Sequence, residues 1–250
     1  MDGPDGAVDE RHSQTSTHDS GWSWRGFALR VIVGYAVISA VLIAAGLLIV
    51  HPLAGSGIVH WDESVVRWFA DHRTPRLTSL SAFWSKTGDA PSIVAVGLVL
   101  AIVLSLRRHW HEVIVLVSIL SVELGTFLTI SYTVGRARPT VEHLGSVPST
   151  GSFPSGHIAA TIVLYGFVVV LLNRFAVPLL LQAIAVLWTI VAAASVGWAR
   201  MYRGMHHPLD VVAGATMGMA LLAVFYAALG AASHRQRRLA HAGRLAEATS

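Results

Sequence analysis

The sequence predicts an all-α integral membrane bundle of six transmembrane helices, with short interfacial helices in its first extracytoplasmic loop. Three observations carry this. First, the 250 residues are 54% hydrophobic and only 13% charged, whereas soluble domains carry roughly 25% charged residues; mean hydropathy is +0.59. Second, long apolar runs recur, and each must be helical because hydrocarbon cannot satisfy a free backbone amide. Third, arginines cluster between alternate runs, as an even number of crossings arranges them.

The same composition removes several function classes. Cysteine is absent, which excludes disulfides, thiolate catalysis and cysteine-held zinc or iron–sulfur sites. The net charge of +4 gathers at the ends of apolar runs. Nucleic-acid binding would instead need a basic stripe on a soluble domain, so no nucleic-acid partner is expected.

Residues 1–24 are polar and lack apolar periodicity, the composition of a disordered tail. They show neither the basic start nor the short apolar core of a secretory signal peptide. Residues 25–232 form the predicted six-span domain, with apolar runs at 27–50, 91–106, 113–132, 158–172, 177–199 and 209–232. A span needs about 20 residues, so the short second and fourth runs should extend into flanking polar residues. Residues 233–250 form a basic cytoplasmic tail. Arg25 and Arg30, Arg107 and Arg108, Arg174, and Arg235, Arg237 and Arg238 all fall on one side of a six-span chain. The positive-inside rule makes that side cytoplasmic, with both termini on it. Loops 51–90, 133–157 and 200–208 then face outward from the cell membrane. In the first of these, Trp61, Val65, Trp68 and Phe69 recur at helical spacing, as do Leu77, Leu80 and Trp84, with Pro75 between the groups. Two short amphipathic helices lying in the interface fit this pattern, either as a packing cap or as a rim for lipid access. No catalysis is assigned there.

Two outward motifs carry chemistry. In Pro154-Ser155-Gly156-His157, a helix start offers free amides and a hydroxyl to an anion, with His157 in the first turn. The plainer alternative is an N-cap serine beside an interfacial histidine. In the second motif, Pro208 suits the first position of a helix, and His206 and Asp210 are four residues apart, close enough to meet across its start. A carboxylate on one imidazole nitrogen would fix the tautomer and free the other as nucleophile or base. Arg200 offers a fork matched to phosphate oxygens, though an arginine at a helix end can also simply snorkel. Beyond the third span, Arg136 and Arg138 on one outward loop could neutralise a dianion or hold lipid headgroups. Topology puts all three segments on one face.

Arg138-Pro139, Pro154-Ser155-Gly156-His157 and Arg200-x5-His206-x3-Asp210 together resemble the three-part signature of the type 2 phosphatidic acid phosphatases. Their superfamily also holds bacterial lipid-diphosphate phosphatases, glucose-6-phosphatase and the soluble vanadium haloperoxidases; the hydropathy excludes the last. The resemblance implies a lipid-phosphate phosphatase working without metal or cofactor. His206 would attack phosphorus, Asp210 would orient it, and His157 would act as acid and then base. Arg138, Arg200, Ser155 and Gly156 would bind the phosphate oxygens. Two positions depart from the family pattern: Ser131 replaces a lysine seven residues before Arg138, and Ala199 replaces the serine before Arg200. Arg136 is expected to supply the missing phosphate-binding charge, with Lys86, the sole lysine, a second choice. Expected substrates are phosphatidic acid, phosphatidylglycerol phosphate or a polyprenyl diphosphate. A lipid phosphotransferase and a non-catalytic lipid-phosphate-binding protein are the alternatives. Oligomeric state is not specified.

Other marked residues sit apart from this set. Glu123 lies mid-span, where an ionisable group is costly. Gly214 and Gly218 form a small-xxx-small pair suited to internal helix packing. His109 and His111 fall in a cytoplasmic loop. His207 is assigned no role, because it should point away from its neighbour His206.

Overall fold

The computed structural model describes residues 24–248, with side chains described for 25–229. The predicted polar tail 1–24 therefore lies almost wholly outside the described residues, as do the side chains of the predicted basic tail 233–250. Among the described residues there are eight helices and no strand: α1 Trp24–Val50, α2 Gly57–Asp71, α3 Pro75–Thr87, α4 Ala90–Leu106, α5 Trp110–Val134, α6 Gly156–Arg174, α7 Leu179–Tyr202 and α8 Pro208–Ala248. Five segments are long and apolar enough to cross a membrane: most of α1, all of α5, α6 and α7, and Pro208–Leu229 of α8.

The sixth candidate is a bent pair of helices rather than one continuous helix. α4 has 17 residues, a rise of about 25 Å against a hydrocarbon core of roughly 30 Å. It qualifies as a span only together with α3, from which it bends by 48°. The sequence between them explains the bend. Gly88 closes α3, and the Asp89 carboxylate caps α4 by accepting the Ser92 N–H at 3.0 Å. Pro91 occupies the first turn of α4, where its missing N–H is no loss. The corner also sits close to α6: a Cβ on Gly88 would meet Thr161 Oγ1 and Val196 at 2.9 Å. The short fourth run does extend at both ends, as expected, to become α6.

Large apolar side chains stay exposed around the bundle, including Leu29, Ile32 and Val33 of α1, Val94 and Leu98 of α4, and Leu179, Leu180 and Leu187 of α7. In water such a belt would drive association; in a bilayer it is the solvated surface. The chain is a multi-pass membrane protein. Its core forms where α6 packs between α5, α7 and α8, joining Val163, Leu164 and Phe167 to Leu116, Ile119, Met217 and Leu221. Gly214 and Gly218 both face α6. A Cβ on Gly214 would overlap the Ser155 carbonyl oxygen, and one on Gly218 would lie 3.0 Å from the Ala159 carbonyl oxygen.

The two short helices of the first loop form where the aromatic spacing placed them. α2 exposes Trp61 and Trp68 while burying Asp62 and Val66. α3 is capped by Thr74, whose Oγ1 accepts the Leu77 N–H at 3.3 Å, and packs along α7 with Ser81 and Ser85 buried. They cover the end of the bundle formed by the C-termini of α5 and α7 and the N-termini of α6 and α8. At the other end, Arg174 of α6 pairs with Glu112 of α5 at 2.9 Å.

Candidate active site

After α5 the chain turns at Gly135, whose φ of 59° is in the left-handed region, where glycine carries no Cβ penalty. That turn delivers Arg136 and Arg138 to different places. Arg138 lines a cavity of about 470 Å³ together with Gly156, His157, Arg200 and His206. Its guanidinium is held from behind, with Nη1 donating to the Met205 carbonyl at 2.6 Å and Nη2 to the Thr150 carbonyl at 3.2 Å. Burial lowers its pKa from the ordinary arginine value, and the Asp210 carboxylate partly offsets this.

Arg136 does not line that cavity. It is buried between two carboxylates, Nη1 donating to Asp210 Oδ1 and Nη2 to Asp62 Oδ2, each at 2.5 Å. Burial opposes its charge, but Asp210 and Asp62 outweigh burial and raise its pKa above the ordinary value. Expected to bind phosphate, Arg136 has both its terminal nitrogens, Nη1 and Nη2, on carboxylates rather than open to the cavity. Lys86 is exposed on α3 and does not line the cavity either. Ser131 is buried, its Oγ donating to the Gly151 carbonyl at 3.3 Å.

His206 is 2% exposed. Its Nδ1 lies 2.7 Å from the Ser152 carbonyl oxygen, and a carbonyl only accepts. Nδ1 thus carries the proton, and Nε2 keeps its lone pair in the neutral ring. Burial lowers the pKa of His206 to about 4; Asp210 pulls upward, while Arg200 and Arg138 reinforce the drop. Here a second expectation changes. Asp210 approaches His206 Nδ1 only to 3.8 Å, so a backbone carbonyl, not Asp210, fixes the tautomer. Ser152 can do this because it is itself pinned, its N–H on the Arg136 carbonyl and its Oγ on the Ala137 carbonyl, each at 2.8 Å.

Asp210 instead organises the chain around the start of α8. Oδ2 accepts the His207 N–H at 2.8 Å and faces His207 Nδ1 at 3.2 Å, while Oδ1 takes Arg136. His207 Nε2 lies 3.0 Å from Glu63 Oε2. Thr140 donates to Glu63 Oε1 from its N–H and from its hydroxyl. Burial would raise the Glu63 pKa, but these hydrogen bonds prevail and hold it below the usual carboxylate value. Asp62 Oδ1 accepts the Leu209 N–H at 2.8 Å. One buried network thus ties α2, the loop after α5 and the start of α8 together. Sequence reasoning missed Asp62, Glu63 and His207 in it. The available signal was an Asp-Glu pair on a short helix otherwise ruled by aromatic spacing.

Ser155 is the N-cap residue of α6, and its N–H donates to the Asp210 carbonyl at 2.9 Å. Its hydroxyl caps nothing. Ser155 Oγ, Arg138 Nε and Arg200 Nε are all buried without a hydrogen-bond partner, although Arg200 Nη1 donates to Ser85 Oγ at 3.1 Å. Buried donors are normally satisfied, so three orphans among these residues mark where an acceptor-rich group would bind. The rest of the cavity is apolar apart from Ser121 and Glu123, running past Phe127 to Leu120 and Leu124 of α5 and Ile93 and Val94 of α4. The arrangement can hold an anion at one end and a hydrocarbon chain along the other.

Comparison with known proteins relates the chain to one family and one fold. The family model for the PAP2 superfamily matches residues 111–233. The comparison with curated proteins gives no match. Among solved structures, the fold is similar to a transmembrane PAP2-type phosphatidylglycerolphosphate phosphatase from Bacillus subtilis. That match has a TM-score of 0.60 and 21% identity, covering 81% of this chain and 94% of that one. It is also similar to Aquifex aeolicus LpxE, with a TM-score of 0.51 and 23% identity, covering 65% of this chain and 93% of that one.

Proposed function

We propose that the chain is a membrane phosphatase of the PAP2 superfamily, whose family model matches residues 111–233, and that it hydrolyses a lipid phosphate through a phosphohistidine intermediate. One observation carries the reading: neutral His206 and the arginines Arg138 and Arg200, each with an orphaned Nε donor, gather at one end of a mostly apolar cavity. A soluble substrate would have no use for the apolar remainder between α4 and α5.

In the first half-reaction, the His206 Nε2 lone pair forms a bond to phosphorus as the bond to the lipid oxygen breaks. His157 donates its proton to that oxygen, and the dephosphorylated lipid leaves. In the second, His157 takes a proton from water as the water oxygen attacks phosphorus. The P–N bond then breaks, returning its electron pair to Nε2 and releasing inorganic phosphate. Arg138, Arg200, the Ser155 hydroxyl and the Gly156 amide stabilise charge on the equatorial oxygens. A preorganised donor of this kind typically lowers the barrier by about 3 kcal/mol. The Ser152 carbonyl keeps the proton on Nδ1 throughout. Asp210 stabilises the charge that His206 gains in the intermediate, acting at 3.8 Å rather than by a direct hydrogen bond.

The site lies at the bundle end away from the Arg107, Arg108 and Arg174 cluster, which supports an extracytoplasmic site with cytoplasmic termini. Reporter fusions after Arg108 should read cytoplasmic. For activity, purified protein in detergent is given phosphatidic acid, phosphatidylglycerol phosphate and a polyprenyl diphosphate, and released phosphate is measured. Release should be abolished in His206→Ala, and acid-labile phosphate should accumulate on the unmodified chain in quenched reactions. Release that survives His206→Ala would sink the mechanism.

A further inference from the structure

The chemistry just described makes no use of Glu123. This residue lies on α5 one turn below Phe127, and the Phe127 ring stands about 3.0 Å from where a Cβ on Gly156 would be. Gly156 and His157 mark the phosphate end of the cavity, so Glu123 sits about 6 Å deeper along α5. Its side chain is only 5% exposed and lines the cavity, among Ile93, Val94, Leu120 and Leu124. Among the described residues it has no hydrogen-bond or ion-pair partner; burial alone acts on it. A lone carboxyl in an apolar wall is costly and is retained only where something polar meets it.

Resting on the phosphatase reading, we propose that Glu123 is a specificity-determining residue that hydrogen-bonds a polar group of the lipid close to its phosphate. That group is an ester carbonyl, an amide or a hydroxyl, so the site selects phosphates of acyl lipids over phosphates of isoprenoid chains. In phosphatidic acid, the glycerol esters follow the phosphoester oxygen by a few bonds. In an isoprenoid phosphate, every atom beyond that oxygen is hydrocarbon. With an acyl lipid bound, the carboxyl regains a partner inside the cavity; with an isoprenoid it is sealed against hydrocarbon with none. A pocket built around a buried polar group discriminates strongly against the analogue that leaves it unpaired.

The test uses the full chain in detergent micelles, with phosphatidic acid and farnesyl phosphate as substrates. The readout is the ratio of their kcat/KM values, which cancels any general loss of activity. Glu123→Leu should lower the phosphatidic acid to farnesyl phosphate ratio about ten- to a hundredfold. Glu123→Met, with a more adaptable side chain, should lower it likewise and guards against a repacked α5. Glu123→Gln, which keeps a donor and an acceptor, should hold the ratio within about threefold. An unchanged ratio in the Leu and Met variants, whether both activities fall or neither moves, would overturn the proposal. So would a fall in the Gln variant equal to that in the Leu variant. No phosphate release from either lipid by the unmodified chain is a different result, and it refutes the phosphatase reading itself.

Discussion

Replacing Arg136 with methionine separates a structural role from a phosphate-binding one. The guanidinium holds Asp62 and Asp210 at 2.5 Å each, and both carboxylates are fully buried. Methionine of similar length removes both contacts and leaves two neighbouring buried charges without their shared cation. Each charge-assisted hydrogen bond contributes about 1.5–3 kcal/mol, so two amount to roughly 3–6, close to the ~3–5 for breaking a buried pair. Asp62 keeps the Leu209 N–H and Asp210 keeps His207, which favours the lower end, about 3 kcal/mol. For a chain of this length that is a fall in Tm of roughly 6–12 °C, readable by thermal unfolding in detergent. kcat should fall with it, because Asp210 is tied to the segment bearing His206, whereas KM should move little. Adding Asp62→Leu removes one of the two orphaned carboxylates and should recover part of the lost Tm, a coupling that independent sites do not show. A Tm within about 2 °C of the unmodified chain, combined with a sharply raised KM, would refute the reasoning and return Arg136 to the phosphate.

Two further outcomes follow from the same geometry. His206 has a pKa of about 4 when folded against 6.5 ordinarily. Above pH 6.5 both folded and unfolded chains hold a neutral ring; between 6.5 and 4 only the unfolded chain takes the proton. Stability should therefore fall by about 3 kcal/mol across that window. Glu63, held below its usual value, adds a loss in the same direction below about pH 4.5. Tm measured from pH 7.5 to 4.5 should drop, and His206→Gln should flatten the upper part of the curve; an equal slope in that variant would assign the loss elsewhere. Gly214→Ala should cost about 1–3 kcal/mol or more by overpacking and should abolish activity, since its Cβ would overlap the Ser155 carbonyl. Gly125→Ala, with nothing within 4 Å of the added Cβ, should be neutral or stabilising by up to ~1 kcal/mol. Equal Tm shifts in the two alanine variants would contradict the packing described.

Hydropathy and spacing made the helices legible, because apolar runs bounded by arginines leave a membrane chain few alternatives. The bend between α3 and α4 was harder to see. Gly88, Asp89 and Pro91 are ordinary turn residues in a soluble chain, and only their position beside a short apolar run gives them weight. The gathering of side chains was legible where residue type and spacing sufficed: Arg138, His157, Arg200 and His206 were each marked in this way, and the fold brings them to one cavity. It was not legible where side chains serve one another. Spacing of i,i+4 placed Asp210 near His206, yet whether a carboxylate or a backbone carbonyl takes Nδ1 depends on where Ser152 arrives, 54 residues earlier. Arg136 looked like a free cation because its partner Asp62 lies 74 residues away, on a helix whose aromatic pattern drew attention outward.

Helix ends explain why these distant pieces converge. α6 and α8 begin at the same end of the bundle, and their first turns are joined by backbone, the Ser155 N–H donating to the Asp210 carbonyl. One peptide group thus fixes the segment bearing His157 relative to the segment bearing His206. Gly214 permits the contact, since any side chain there would drive the two starts apart. With α6 and α8 locked, Asp210 has its main chain on Ser155 and its carboxylate on Arg136, which reaches on to Asp62 of α2. A displacement of α2 would therefore act first on the Asp210 carboxylate and only then on His206. The short aromatic helix of the first loop, assigned no catalysis on its sequence, becomes through Asp62 and Glu63 the outer support of the proposed nucleophile.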